Sequence, residues 1–230
     1  MKEYKEFLNY LENWMQSLKI LSAGDVLAQP NKTAIISADV INGFCKFGPL
    51  ASQRVATIID PIVKLFKTSW EAGCHNIVLM QDTHEPNAVE FDSFPPHCIR
   101  GTAEAEAVDE FKKLPFFDQM IIIKKNSINS GLNTELDQWI AKHPQVNTFI
   151  AVGDCTDLCV YQVAMHLRLS ANATQRNWHV IVPEDCVETY SSTVESAKEI
   201  GAFPHPGNLL HYLFLYHMAL NGIELVKSIT

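Results

Sequence analysis

A thiol becomes a strong nucleophile when a base takes its proton or a nearby cation stabilises the thiolate, and the start of a helix helps. Cys159 has that setting in CTDLCVYQVAMHLRL, a run of helical spacing that follows the strand-like TFIAVG. It falls in the first turn of the expected helix, where the helix dipole favours a thiolate. Cys155, in the turn itself, is the rival nucleophile. Asp39 could accept the proton, and Lys124 or Lys125 could stabilise the charge. Against this stands a plainer reading, since a free cysteine is commonly a buried, inert core residue.

A second group has the composition of a metal site. Asp82-x-His84, with His97 downstream in a stiff Pro-Pro-His segment, offers one carboxylate and two imidazoles. That set suits Zn²⁺, Fe²⁺ or Mn²⁺ and leaves coordination positions for water. Glu90, on the same loop, is a candidate fourth ligand or else a solvated loop carboxylate. Phe44 and Phe94 are loop aromatics beside these groups, where they could wall a flat ring or simply pack under the loops.

Positioning such scattered groups requires a particular arrangement of elements. Tyr4, Phe7, Leu8, Leu11, Trp14, Met15 and Leu18 recur on one helical face. TAIISAD, NIVLMQD, QMIIIK, TFIAVG and HVIVPED read as five strands, and GIELVKS as a possible sixth. Helices are expected over Val55–Trp70, with Pro61 kinking it or marking a first turn, and over AEAEAVDEFKKL, the segment after Cys155, SSTVESAKEI and GNLLHYLFLYHMAL. Thr156 or Asp157 is a plausible N-cap for the helix that carries Cys159.

Alternating strands and helices mean βαβ units. The expected fold is therefore a three-layer α/β/α arrangement with a mostly parallel, Rossmann-like sheet of about six strands. One domain is expected over residues 1–230, with 1–30 an N-terminal helical extension and 201–230 a C-terminal helix and possible last strand. Ligands bind at the carboxyl ends of the strands in open parallel sheets. Those ends carry Asp39, then Asp82 and His84, then Lys124 or Lys125, then Cys155 and Cys159.

Composition narrows the field. Apolar residues make up 47% and charged residues 19%, an ordinary globular balance. The formal net charge of −8 disfavours nucleic acid and anionic membranes as partners. The N-terminus lacks a signal-peptide core, and no apolar stretch is long enough to span a bilayer, so the expected location is cytoplasmic. Six cysteines without a CxxC pair argue for reduced thiols rather than disulfides or structural zinc. Phosphate-loop glycine patterns are absent, which weakens a nucleotide-binding reading. His205, His211 and His217 are suggestively spaced, but the last two lie on a helix apolar nearly all round and read as buried or interface residues. That helix also predicts a homo-oligomer, unless the N-terminal helix covers its second face.

ADVINGFCKFG, QDTHEPNAVEFDSFPPHCIRGTAEAE, IKKNSINSGL and AVGDCTDLCVYQVA occur in an order and at strand ends that are similar to the nicotinamidase/isochorismatase-like cysteine hydrolases, and most of all to the plant-type nicotinamidases. The resemblance runs from about Thr33 to about Tyr190. It implies that Asp39 is the catalytic base, Cys159 the nucleophile, and Asp82, His84 and His97 the ligands of one divalent metal, with Glu90 where some members place another. It also implies a cis peptide at Asp154–Cys155, which turns the N–H groups of Cys155 and Cys159 into an oxyanion hole, and a ring-binding role for Phe44 and Phe94. KNSINSGL, similar to the plant-type K-x-x-I-x-G-F pattern apart from a leucine and an extra residue near the aromatic position, selects Lys125. Isochorismatases proper lack the cysteine and the metal motif, so the resemblance is to the amidase side. It implies hydrolysis of a small amide, nicotinamide foremost, with no organic cofactor. The alternatives are a related amidase acting on another amide or carbamoyl compound, and a non-catalytic binding protein on the same fold.

Overall fold

The computed structural model describes residues 2–199 and 201–230. Seven strands form its central sheet: β1 (Thr33–Ala38), β2 (Ile77–Asp82), β3 (Ile121–Lys125), β4 (Thr148–Asp154), β5 (His179–Pro183), β6 (Val187–Glu188) and β7 (Glu224–Val226). Their order is β3-β2-β1-β4-β5-β7, every pairing is parallel, and β6 joins beside β4. The central strands are apolar on both faces because both are covered. Ala34, Ile36 and Ala38 of β1 face one core and Ile35 the other; Val78 and Met80 of β2 divide in the same way from Ile77 and Leu79. This is the period-two alternation of a strand buried on both sides.

Five helices of seven residues or more are described: α1 (Lys2–Gln16), α2 (Ile59–Glu71), α3 (Leu136–Lys142), α4 (Cys159–Ala173) and α5 (Gly207–Leu220). α2 packs Ile59, Ile62, Leu65 and Phe66 on one face of the sheet. α3, α4 and α5 supply Trp139, Val163, Leu167 and Met218 to the other, together with Met15 of α1. Each large side chain buried this way contributes about 1.5–3 kcal/mol. The three layers expected from the sequence are present.

α1 lies on α5, where Phe7, Tyr10 and Trp14 meet Tyr216 edge-on at 5.3–6.0 Å. The N-terminal helix therefore covers part of the face that the apolar pattern of α5 leaves open. A two-stranded parallel pair, Ile20–Leu21 with Ser228–Ile229, ties the two end segments together.

Several elements depart from expectation. AEAEAVDEFKKL forms a 3₁₀ turn, Ala103–Ala105, and a short helix, Asp109–Lys112, instead of one helix. Ala105, Ala107, Val108 and Phe111 are buried beneath the loop, so tertiary packing overrides local helix preference. The Val55–Trp70 segment is broken into Gln53–Ala56 and α2, with Pro61 in the first turn of α2. The late helix SSTVESAKEI is described over Val194–Glu199, and its last residue, Ile200, lies outside the described residues. The strand beyond those expected, β6, is only two residues long and carries no pattern of its own. Neither Thr156 nor Asp157 caps α4; the N-cap is Leu158, and no side chain bonds there.

The chain order reverses between β1 and β4, the switch point at which doubly wound sheets open a crevice. Gly153 of β4 pairs with Ala38 of β1 there. Its φ is +114°, and a Cβ on it would lie 2.0 Å from the Ala38 carbonyl oxygen. A side chain at this position must therefore push the two central strands apart. Gly153→Ala is expected to destabilise the fold by about 2–4 kcal/mol, from the backbone penalty and the clash together. Urea unfolding measures it; a midpoint equal to that of the unaltered chain would show that the contact is not constraining.

Candidate active site

At the switch point the end of β1 turns sharply. Asp39 takes a left-handed φ of +55°, which aspartate tolerates better than most residues. Its N–H donates to the Met80 carbonyl, and its Oδ1 accepts from the Asp82 backbone N–H at 2.8 Å. The carboxylate is thus held between β1 and β2 with no solvent exposure. Burial, and then the neighbouring Asp82, raise its pKa to about 6.

Lys125 is the register partner of Asp82 across β2 and β3. Its ammonium lies 2.8 Å from Asp39 Oδ2 and 2.5 Å from Asp82 Oδ1, donates to the Ser127 carbonyl at 3.1 Å, and reaches Cys159 Sγ at 3.6 Å. Burial alone would lower its pKa, but the Asp39 and Asp82 carboxylates outweigh that and raise it well above the ordinary lysine value. Lys124 is one residue away and points to solvent, because side chains alternate along a strand. Of the two lysines, Lys125 is the one within reach of the thiol.

Cys159 opens α4. Its sulfur lies within 4.8 Å of a carboxylate oxygen from each of Asp39 and Asp82. Asp39 Oδ2 is ion-paired to Lys125 at 2.8 Å, and a carboxylate oxygen with two lone pairs can still accept the thiol proton. Burial, only partly offset by Lys125, holds the Cys159 thiol well above its ordinary pKa. Cys155 is also buried and raised, by burial and then by Asp154. Its sulfur faces Asp154 and does not face the lysine. The Asp154–Cys155 peptide is cis, and the turn closes with the Leu158 and Val160 N–H groups both donating to the Cys155 carbonyl. All six cysteines are unpaired and buried.

Asp82, His84 and His97 come together, all three buried, with one ligand atom from each within 4.8 Å of the others. Hydrogen bonding assigns the imidazole protons. His97 Nδ1 donates to the Pro95 carbonyl at 2.8 Å, and His84 Nδ1 to Asn126 Oδ1 at 3.1 Å. Both rings therefore present Nε2 lone pairs, and His84 Nε2 is buried without a hydrogen-bond partner. Asp82 Oδ2 stands 3.6 Å from it. A buried acceptor set of one carboxylate and two imidazoles, each imidazole fixed by an outer hydrogen bond, fits a divalent transition metal. Glu90 is near, with Oε1 3.9 Å from His84 Nε2, but it lies outside the three-residue cluster.

Aromatic rings crowd these histidines. Phe44 lies 5.6 Å and Phe94 6.3 Å from the His97 ring. Sequence reasoning missed Phe91, which sits 5.4 Å from His84 and 5.6 Å from His97. Its adjacency to Glu90 was the available signal. Asn126 was missed as well, although it directly follows Lys125 at a strand end. The reactive groups are enclosed. A separate surface hollow lies against edge strand β3, beside Lys124, Trp139 and Lys142, and none of the cysteines or histidines above lines it.

Comparison with known proteins places the chain. The isochorismatase domain model matches residues 33–202. Nicotinamidase 1 of Arabidopsis thaliana is 28% identical over an alignment covering 89% of each protein. Among solved structures, the pyrazinamidase of Pyrococcus horikoshii in complex with zinc superposes with a TM-score of 0.64 at 22% identity, covering 85% of this chain and 99% of that one. The N-carbamoylsarcosine amidase of Thermoplasma acidophilum superposes with a TM-score of 0.63 at 22% identity, covering 86% and 96%. With a family model matched over most of its length, and the sheet and strand-end groups described above, the chain belongs to the isochorismatase domain family.

Proposed function

We propose that this protein is a metal-dependent cysteine amidohydrolase acting on nicotinamide, which it converts with water to nicotinate and ammonia. The observation that carries the reading is the buried contact of one ammonium, Lys125, with Asp39, Asp82 and the Cys159 thiol. A pure binding protein has no need of a base, a cation and a thiol packed together out of water. Similarity to a plant nicotinamidase over most of both chains supports the choice of substrate.

In this mechanism Asp39 takes the proton of Cys159, and Lys125 stabilises the thiolate. The sulfur attacks the carboxamide carbon, and the N–H groups of Cys155 and Cys159 hold the oxyanion. Asp39 then donates its proton to the departing nitrogen, which leaves as ammonia, and a thioester to Cys159 remains. Water attacks the thioester while Asp39 accepts its proton, and the acid and the thiol are released. A carboxyl with a pKa of about 6 suits both directions of transfer near neutral pH. Asp82, His84 and His97 would hold a divalent ion, which supplies Lewis-acid activation of water and a contact for the ring nitrogen. Phe44 and Phe94, with Phe91, flank the pyridine ring.

A related amidase that uses the same groups on a carbamoyl compound is the second reading, favoured by the likeness to the carbamoylsarcosine amidase fold. We further propose that residues 1–230 act as one domain and that the protein is a cytoplasmic homo-oligomer. Among the described residues no helix is long and apolar enough to cross a membrane. Tyr4 and Tyr10 of α1 and Leu209 and Leu220 of α5 stay exposed after the two helices pack together.

Purified protein is expected to release ammonia from nicotinamide, to lose that activity on chelation, and to regain it with added Zn²⁺ or Mn²⁺. Cys159→Ala is expected to lower turnover by about a thousandfold or more with the fold and metal content intact, while Cys155→Ala is milder; the reverse order would reassign the nucleophile. Elemental analysis should find one divalent ion per chain, lost in Asp82→Ala and His84→Ala and largely kept in Glu90→Ala. Full occupancy in both of the first two variants would refute the ligand assignment. Light scattering at micromolar concentration is expected to give a multiple of the chain mass; a monomer would mean that α1 alone suffices to cover α5.

A further inference from the structure

The turn that delivers Cys159 is fastened from behind by two histidines that play no part in the mechanism above. Thr156 and Asp157 do not cap α4, because their side chains point the other way. His205 Nε2 lies 2.7 Å from Asp157 Oδ2, and His205 Nδ1 lies 2.9 Å from the Tyr190 carbonyl. Both ring nitrogens face acceptors. Tyr190 stacks on the same ring at 3.7 Å and 18°. His205 is fixed in turn by paired backbone bonds with Ser192, 2.8 Å and 3.1 Å long. The Thr189 hydroxyl donates to the other Asp157 oxygen. Burial alone would raise the Asp157 carboxyl; the bonds from His205 and Thr189 outweigh it and hold the group below its ordinary pKa.

His211, on α5, makes the second attachment. Its Nδ1 is 2.8 Å from Thr156 Oγ1, with both groups buried. Behind it, Glu188 accepts from Arg54 at 2.8 Å, and the Glu188 carbonyl accepts the Thr156 N–H at 3.0 Å. Consecutive turn residues are thus tied to two points of the segment after Gly201, and the thiol lies two residues further on.

We propose that His205 and His211 are positioning residues, which clamp the 154–159 turn and so hold the Cys159 thiol in register with Asp39 and Lys125. The proposal rests on the amidase reading for its consequence in turnover, but not for the clamp itself. The physical reason is the tolerance of the step. The thiol must meet a base and a cation carried by two other strands, and a misplacement of about 1 Å can cost roughly a hundredfold in rate. α4 contributes only backbone bonds to the turn, from the Leu158 and Val160 N–H groups to the Cys155 carbonyl, and no side chain caps it.

The experiment compares H205Q, H211L and H211N with the unaltered protein, all loaded with metal. H205Q keeps one donor and loses the second; H211L loses the bond to Thr156; H211N retains a side-chain nitrogen in the place of Nδ1. On nicotinamide, kcat is expected to fall about tenfold or more in H205Q and H211L, with KM within about twofold and metal content unchanged, and to recover substantially in H211N. Amide hydrogen exchange is expected to quicken in peptides covering residues 154–160 in the first two variants, with the β1 and β2 peptides unchanged. If H211L does not fold, T156V removes the same bond from the other side. Folded variants with unaltered exchange in the turn, or with unaltered kcat, overturn the proposal. If the unaltered protein releases no ammonia from nicotinamide, the substrate reading fails, and the exchange data alone decide the clamp.

Discussion

An ammonium group shut away from water must be surrounded by carboxylates or give up its proton. Lys125 is in that position, and most of the site follows from it. Two carboxylates, Asp39 and Asp82, approach it within 2.8 Å from neighbouring strands. Two negative charges against one positive leave a deficit, and the molecule has two ways to relieve it. Asp39 can hold a proton near neutral pH, as its pKa of about 6 indicates. Asp82, with His84 and His97, would hold a divalent cation. The same imbalance therefore places a group able to shuttle protons beside a set of candidate metal donors.

Such a cluster survives only if the backbone holds its members at fixed separation. β1, β2 and β3 are adjacent and parallel, so their carboxyl ends emerge at one level, and Asp82 and Lys125 are direct register partners. The thiol comes from the far side of the switch point, after β4, and its approach is governed by how closely β4 packs on β1. A glycine at 153 permits that approach, and the left-handed turn at Asp39 directs the carboxylate toward it. Strand spacing thus sets the distance between the Cys159 thiol and the Asp39 carboxylate.

Much of this was legible in the sequence because strands write a plain code. Four of the five apolar runs led into chemically capable residues, and parallel sheets gather such ends on one edge. The choice between Lys124 and Lys125 was also available in principle, since IIIKK puts the two lysines on opposite faces and only one can point inward. What could not be read depends on long-range contact. Residues 103–114 have helical composition, yet the burial of Ala107, Val108 and Phe111 breaks the segment. Thr156 and Asp157 look like helix caps and bond instead to residues about 50 positions away. Phe91 and Asn126 have no local signal beyond their neighbours.

That division separates reaction from substrate. The groups proposed to make and break bonds sit at the ends of rigid strands, where geometry is tightly specified and the sequence pattern is strong. The groups that would select one amide over another, Phe44, Phe91, Phe94 and Glu90, lie on short turns and loops whose conformation depends on what packs beneath them. Folds as alike as those of a pyrazinamidase and an N-carbamoylsarcosine amidase superpose on this chain about equally well. Selectivity among amides therefore has to come from the loop walls, where a ring held between aromatic faces gains contact that a small flexible carbamoyl compound cannot match. Under the proposed reading, the three phenylalanines around the paired histidines are the side chains that would favour a flat aromatic amide.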